Sequence, residues 1–482
     1  MLNLKTNKLV FIIIFFISFL GIFIRAYNIN YDNFWFDEIL SFWVADPKIS
    51  IIESWERHRS IEQVPFLYNL LLKALFEIFS YNVFIGRYLS LIFNILSIFF
   101  IIKTSRLLKK NNSYIFSLFL LSFNVYLISY SQELRAYSLV LFLCSTVIYY
   151  FFKSIKCHQE KKFNLYLLLI NSASQILMIY SHPFTLIVYF SIITVIAIKY
   201  FKFNESFREL NLSIIISLIF SFFYLYFYIN DLSSYPSWLE QPGLKFYTNF
   251  YFSTFFGSRL VGLFYLITLL FLLFNFKKMF FKNVENLTFF LVLLFLSYFL
   301  PLAFGYLIKP IIFHRYIIFV LIPIIILISI LIFEIKNQKI KIATIIIISV
   351  LTIGNLYTES TVQQFIKERP YYKPEFSRSL DEINKSNEKY YTFDMDFPPE
   401  TRASAFYALE NYIIALNKIK KYNISYFEMN EFENSKKKTI WIICLPIITK
   451  DKCKNLNPNL NSKVILSKNF SSISLKLIEK NN

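Results

Sequence analysis

Two adjacent carboxylates, Asp37 and Glu38, follow three aromatic residues in Phe34-Trp35-Phe36-Asp37-Glu38. A carboxylate at a partly dry boundary can take a proton from a hydroxyl or amine nucleophile, which is general-base chemistry. Neighbouring carboxylates raise each other's pKa, so the pair is expected to titrate as a unit. The competing use of Asp37 is structural, as an N-cap for EILSFWVA. Glu62, just ahead of Gln63-Val64-Pro65, is a second acid that could hold a metal, bind substrate hydroxyls or cap a helix.

Basic and amide groups recur at separated points. SYSQELRAYSL (129–139) places Gln132, Glu133 and Arg135 in a short turn between two apolar runs. Charge at that depth is costly unless paired or functional. Either Glu133 and Arg135 neutralise one another, or Arg135 binds a lipid phosphate through charge-assisted hydrogen bonds. Arg87, in NVFIGRYLSL, either snorkels from the end of a span or adds to the phosphate site. His182, in YSHPF, and Lys309, His314 and Arg315, in KPIIFHRY, fall at two further turns. Such a basic group suits a phosphate, and it also suits the orienting of a span. No GxxxxGK[ST], HExxH, CxxC or GxSxG pattern occurs, which removes support from ATP-driven and zinc-protease readings. No cofactor is required by these residues. Glu62 and His182 are the candidate ligands for a divalent metal.

The elements that must position these groups are hydrophobic helices. Of the 482 residues 56% are hydrophobic and 20% aromatic, with few Gly and Pro. Uncharged runs near or above about 18 residues are membrane-span candidates. Spans are expected at 8–25, 82–102, 113–130, 136–152, 163–181, 183–199, 211–229, 259–276, 287–306, 315–333 and 340–356. The first follows MLNLKTNK, is longer than a signal-peptide core and lacks a small-x-small cleavage site, so it reads as an uncleaved span. PFLYNLLLKALFEIF (65–79) is apolar but short and carries Lys73 and Glu77. It is expected to lie flat in the interface as an amphipathic helix, which keeps the later loops in alternation.

The net charge of +19 could point to nucleic acid, so its location matters. Short loops on one side of the spans, such as KTSRLLKK (103–110) and KSIKCHQEKK (153–162), hold 19 Lys and Arg against 5 acids. That bias is the positive-inside pattern, and nucleic acid is not expected as a partner. It puts the N-terminus in the cytoplasm and residues 26–81, 131–135, 230–258, 307–314 and the tail outside. The candidate residues then share one outer layer.

From 357 the chain changes character. EFSRSLDEINKSN and RASAFYALENYIIALNKIKKY read as amphipathic helices. KYYTFDM, NISYFEM, KTIWIICLP, KVILSK and SSISLKLIEK read as strands. The expected division is a membrane domain over 1–356 and a small α/β extracytoplasmic domain over 357–482, entered through RPYYKP (369–374) as a rigid linker. Cys444 and Cys453 lie close enough in sequence for a disulfide outside the cell membrane, or they are two free thiols.

At this point the motifs resemble a known family, the GT-C membrane glycosyltransferases of the bacterial protein-mannosyltransferase and aminoarabinose-transferase kind. FWFDEILSFW resembles its first-outside-loop motif, and SYSQELRAYSL closely resembles its Y-S-Q-E-x-R-x-Y. EQVPFLYNLLLKALFEIFSYNVFIGRYLSLIFNIL is similar to its D-x-H-P-P-L-Y stretch with a following Arg. YSHPF resembles a Y-x-H turn, and HRYIIFVLIP the late R-Y-x-x-x-x-x-P span. These stretches run through most of 8–335. The acid of D-x-H-P-P is Glu62 here, its His position is Val64 and its second Pro is Phe66, so no imidazole stands at that position.

The resemblance implies an all-α polytopic bundle of about eleven transmembrane helices with a juxtamembrane helix, in a bacterial inner membrane. It implies a polyprenyl-phosphate sugar as donor, inversion at the anomeric carbon, and a glycan, lipid or protein as acceptor. Asp37 matches the proposed base of the family, with Glu38 beside it. Glu62, Arg87, Gln132, Glu133, Arg135, His182, His314 and Arg315 are then expected to bind substrate or its phosphate. The alternatives are a flippase for a lipid-linked sugar, which should carry midplane charge and repeats, and a surface-polysaccharide polymerase or ligase.

Overall fold

Lipid offers no hydrogen bonds, so a chain with this much uncharged apolar sequence must satisfy its backbone within helices. A computed structural model of the chain describes residues 2–62, 64–109, 112–158, 164–203, 207–232, 239–276, 284–368, 371–395, 399–445 and 462–480. Each of the expected spans falls on a helix. These are α1 (Leu2–Ala26), α5 (Gly86–Leu108), α6 and α7 (Ser113–Ser122 and Val125–Ser131), α8 (Tyr137–His158), α9 (Leu165–Ile179), α10 (Leu186–Phe203), α11 (Arg208–Leu232), α12 (Arg259–Asn275), α13 (Val284–Leu307), α14 (Leu321–Phe333) and α15 (Gln338–Asn355). Among the described residues seven helices are long and apolar enough to cross a membrane, and the α6–α7 pair, bent by 56°, makes an eighth if taken as one span. This is a multi-pass membrane chain.

The bend between α6 and α7 has a local cause. Asn124 caps α7 by accepting from the Leu127 N–H at 2.9 Å, and its amide donates to the Phe255 carbonyl at 3.0 Å. A side chain that satisfies the backbone elsewhere gives the break an alternative to a continuous helix. At the other extreme is α14: every residue from Leu321 to Ile332 is buried, as a helix hydrophobic all round should be.

The chain forms two compact units. The first comprises 1–27, 63–68 and 90–368, and the second 28–62, 69–89 and 369–482. The chain passes from one to the other within α4 (Leu67–Phe79) and α5. With 13 residues α4 reaches roughly 20 Å, short of the ~30 Å hydrocarbon core.

In the second unit the first loop and the tail share one core. The loop carries α2 (Phe36–Val44) and α3 (Ile51–Ile61). The tail carries α16 (Phe376–Lys385), α17 (Pro399–Lys420) and five strands: β1 (Tyr390–Met395), β2 (Ser425–Tyr426), β3 (Thr439–Leu445), β4 (Ser462–Asn469) and β5 (Ser474–Lys480). The sheet order is β2-β1-β3-β5-β4; β1 pairs parallel with β2 and β3, and β5 pairs antiparallel with β3 and β4. All five expected strands and both expected helices are present. Phe34 stacks on Tyr412 of the tail at 5.1 Å, and Phe42 stacks on Tyr81, just before α5, at 4.1 Å. Such pairs add to the burial of their large surfaces. Cys444 is disulfide-bonded, while Cys453 lies outside the described residues.

Candidate active site

In the second unit, α2 begins within the acidic motif. Its N-cap is Trp35, so Asp37 falls in the first helical turn and is not the cap. Glu38, three residues on from the cap, reaches back to the Trp35 N–H at 3.3 Å, which is the return half of a capping box. Both acids also gain from the positive end of the helix dipole. Asp37 is half-buried, and its carbonyl accepts from the Ser41 hydroxyl at 3.2 Å.

Glu38 is fully buried and has a different life from its neighbour. Arg87 donates to it twice, Nε to Oε1 and Nη2 to Oε2, both at 2.9 Å. Lys373 adds a third contact, Nζ to Oε2 at 2.6 Å. Burial by itself would raise the Glu38 carboxyl, but these two cations outweigh it and hold the pKa at about 2. The expected mutual raising within the Asp37–Glu38 pair is therefore not met at Glu38: the nearby charges that matter are positive.

Arg87 spends its remaining donors on the loop backbone. Nη1 donates to the Ile29 and Asp32 carbonyls at 3.0 and 2.8 Å, and Nη2 to the Asn33 carbonyl at 3.2 Å. All five guanidinium N–H groups are thereby used. Its charge also lies over the Phe34 ring at 4.9 Å. The Phe34 N–H donates to the Tyr412 hydroxyl at 2.9 Å. The loop from Ile29 to Glu38 is thus tied to the start of α5 and to α17. Lys373, expected only as part of a linker, and Tyr412 are functional neighbours that sequence reasoning missed; neither stands in a recognisable motif. Glu62 is the C-cap of α3, its N–H donating to His58 O at 2.9 Å.

In the first unit, three helix turns bring their polar residues together. Arg135 is buried in the turn between α7 and α8, tied by its carbonyl to the Ser90 hydroxyl at 3.3 Å. Gln132, in the same turn, donates to the Arg25 carbonyl at 2.9 Å. Glu133 lies half-buried between them. His182 caps the 3-10 turn Pro183–Thr185 between α9 and α10, its Nδ1 accepting from the Phe184 N–H at 3.2 Å. His314 and Arg315 begin the 3-10 segment that leads into α14. The His182 ring lies 5.1 Å from Tyr316 and 6.5 Å from Tyr137, and the Arg315 guanidinium lies over Tyr137 at 5.6 Å. His314 meets the Tyr126 hydroxyl at 2.9 Å. Tyr137 and Tyr316 stand in the Y-S-Q-E-x-R-x-Y and R-Y motifs, but their place beside His182 was not legible.

His182 is the most informative member. It is buried, and burial, with the charges of Arg135 and Arg315, lowers its pKa to about 3. It is neutral at ordinary pH. Because Nδ1 accepts, the proton sits on Nε2, and that buried nitrogen has no hydrogen-bond partner among the described residues. A neutral donor and two guanidinium groups thus serve one small region. That set matches an oxyanion such as a phosphate. Among the described residues no group of three or more His, Cys, Asp or Glu side chains converges as a metal site would need.

No protein-family model matches the sequence, and no curated protein does. Solved structures do match by fold. ArnT from Cupriavidus metallidurans in the apo state aligns with a TM-score of 0.60 at 10% identity, over 99% of this chain and 98% of that one. The same protein bound to undecaprenyl phosphate aligns at 0.53 and 9% identity, over 98% of each chain. The oligosaccharyltransferase of Archaeoglobus fulgidus in the apo form aligns at 0.52 and 10% identity, over 90% of this chain and 69% of that one. The chain thus has the fold of ArnT.

Proposed function

We propose that the chain is a glycosyltransferase that moves a sugar from a polyprenyl-phosphate donor to an acceptor at the outer face of the membrane, with inversion. The observation that carries this reading is the cluster of His182, Arg135 and Arg315 in a chain with the fold of ArnT. ArnT has been captured with undecaprenyl phosphate, and the archaeal oligosaccharyltransferase with dolichol phosphate and an inhibitory peptide. A bound lipid phosphate is common to those two structures, and it is the group that the cluster here would receive.

The reaction needs a base and a stabilised anion. Asp37 takes the proton from the acceptor hydroxyl or amine as the acceptor atom bonds to sugar C1. The C1–O bond to phosphate breaks on the opposite face, and its electron pair leaves with polyprenyl phosphate. The Arg135 and Arg315 charges and the His182 Nε2–H receive that anion. Preorganised donors of this kind gain most where charge develops in a dry site. Glu38 and Arg87, each committed to the other, are positioning residues for the Asp37 loop.

The test is a transfer assay in membranes with a panel of polyprenyl-phosphate sugars and mass analysis of the products. Transfer by the native chain and none by a folded Asp37→Asn variant is the expected result. Lipid-linked sugar accumulating on the inner leaflet when the protein is removed, without transferase activity in vitro, would favour the flippase instead.

A further inference from the structure

The first unit holds a second feature that the proposed reaction does not use: a groove of roughly 410 Å³ between α1, α5 and α6. Its walls are Ile14, Ile22, Ile95, Ile98, Phe99 and Leu118, with Lys103, Arg106 and Tyr114 at one end and Arg25 at the other.

The Arg25 end is closed. A Cβ on Gly21 would stand 2.8 Å from the Ser122 Cβ, so α1 and α6 meet backbone to side chain there. The buried Arg25 guanidinium is occupied by Asn94 Oδ1 at 2.9 Å and by the carbonyls of Gly21, Leu121 and Ser122 at 2.6–2.9 Å. The other end is open and cationic. Lys103 and Arg106 are both exposed. The side of α1 beyond the groove is apolar and exposed, with Phe11, Ile12, Phe15 and Phe16 all above half exposure, as befits a lipid-facing helix.

We infer that this groove binds one acyl chain of an anionic phospholipid, with the phosphate headgroup at Lys103 and Arg106. Three observations fix the occupant. First, from Tyr114 to Ser122 the groove runs roughly 12 Å along α6 at about 1.5 Å per residue, close to the depth of one leaflet of a ~30 Å hydrocarbon core. That suits a phospholipid chain and is too short for a long polyprenyl tail. Second, the closed end does not favour a headgroup, since four of the five Arg25 N–H groups are already bonded within the protein. Third, the paired cations at the open end complement a single phosphate. The site is distinct from the His182 cluster. Ser90 bonds the Arg135 carbonyl, and Arg106 lies some 16 residues further along α5, roughly 24 Å away by helical rise. The groove therefore opens at the opposite membrane face from the turn that carries Arg135.

The experiment is native mass spectrometry of the full chain, delipidated in detergent and titrated with phosphatidylglycerol, phosphatidylcholine or a polyprenyl phosphate. Two cations near a headgroup predict a preference on the order of tenfold or more for phosphatidylglycerol over phosphatidylcholine. K103Q/R106Q, which changes only exposed side chains, should erase that preference. Ile98→Trp, which fills the groove, should reduce retention of both phospholipids. A native chain without headgroup preference would overturn the inference. So would a preference that survives in K103Q/R106Q, or polyprenyl phosphate displacing phosphatidylglycerol at equal concentration.

Discussion

Arg87 and Glu38 form a two-pronged ion pair in which every guanidinium N–H is used and the carboxylate is sealed from solvent. Removing one partner of a buried pair strands the other charge, at a cost of about 3–5 kcal/mol. Glu38→Ala and Arg87→Ala should each lower thermal stability by that order. Differential scanning fluorimetry of the purified protein reads the loss. Unchanged melting would show that the pair does not hold the loop.

The same pair sets an acid limit. The Glu38 pKa is about 2 in the fold and near 4.5 in an unfolded chain. Its contribution is complete above pH 4.5 and is lost as pH falls toward 2. A shift of that size corresponds to ~3 kcal/mol. Melting temperature recorded from pH 6 to pH 2.5 should fall less steeply in Glu38→Gln than in the native chain, because the variant has already lost the titrating group.

Asp37 lies one residue away but is half-buried and outside that pair. Asp37→Asn should cut transfer by on the order of 10²–10⁴ while leaving the melting temperature within a degree or two. A folded Asp37→Asn protein that transfers at the native rate would remove Asp37 from the role of base.

His182 acts as a neutral donor in the proposed scheme. Transfer should therefore show no inflection near pH 6.5 from this residue, since its pKa is depressed to about 3. His182→Phe keeps the ring volume and deletes the donor. It should lower kcat by on the order of 10²–10³, more than it changes KM for the acceptor. An equal fall in His182→Gln, which can still donate, would point to packing as the cause.

Tyr412 tests whether the tail controls the loop. Tyr412→Phe leaves the buried Phe34 N–H without its acceptor, at a cost of about 1–3 kcal/mol. Protease cleavage of the 28–62 loop should speed up in the variant, and transfer should fall even though Tyr412 touches no substrate.

The fold was largely legible because its signals are periodic and local. Long uncharged runs marked the helices, alternation marked the strands, and α4 was recognised by being too short to span. The bend at Asn124 was not legible, because it depends on a carbonyl at Phe255 far along the chain. The site was legible as a set of residues and less so in its connections. Sequence reading placed Glu38 beside Asp37 as a second acid, whereas long-range partners, Arg87 and Lys373, determine its charge state. His182 was picked out by a motif, yet its value as a donor rests on the local Phe184 N–H and on burial by distant rings. Tyr412 and Lys373 left no mark that distinguished them from other aromatic and basic residues.

The second unit is assembled from chain segments separated by about 280 residues, since 28–62 and 69–89 share a core with 369–482. During synthesis at roughly 5–20 residues per second, the Asp37 loop waits on the order of 20–90 seconds for α17 and the sheet to appear. Glu38 has Arg87 within moments of leaving the ribosome, but Lys373 and Tyr412 come more than 300 residues later. A nascent chain therefore carries its acidic motif without its full support until α17 and the sheet have been made. A chain stopped before Lys373 is left with a loop that lacks its contacts to Lys373 and Tyr412.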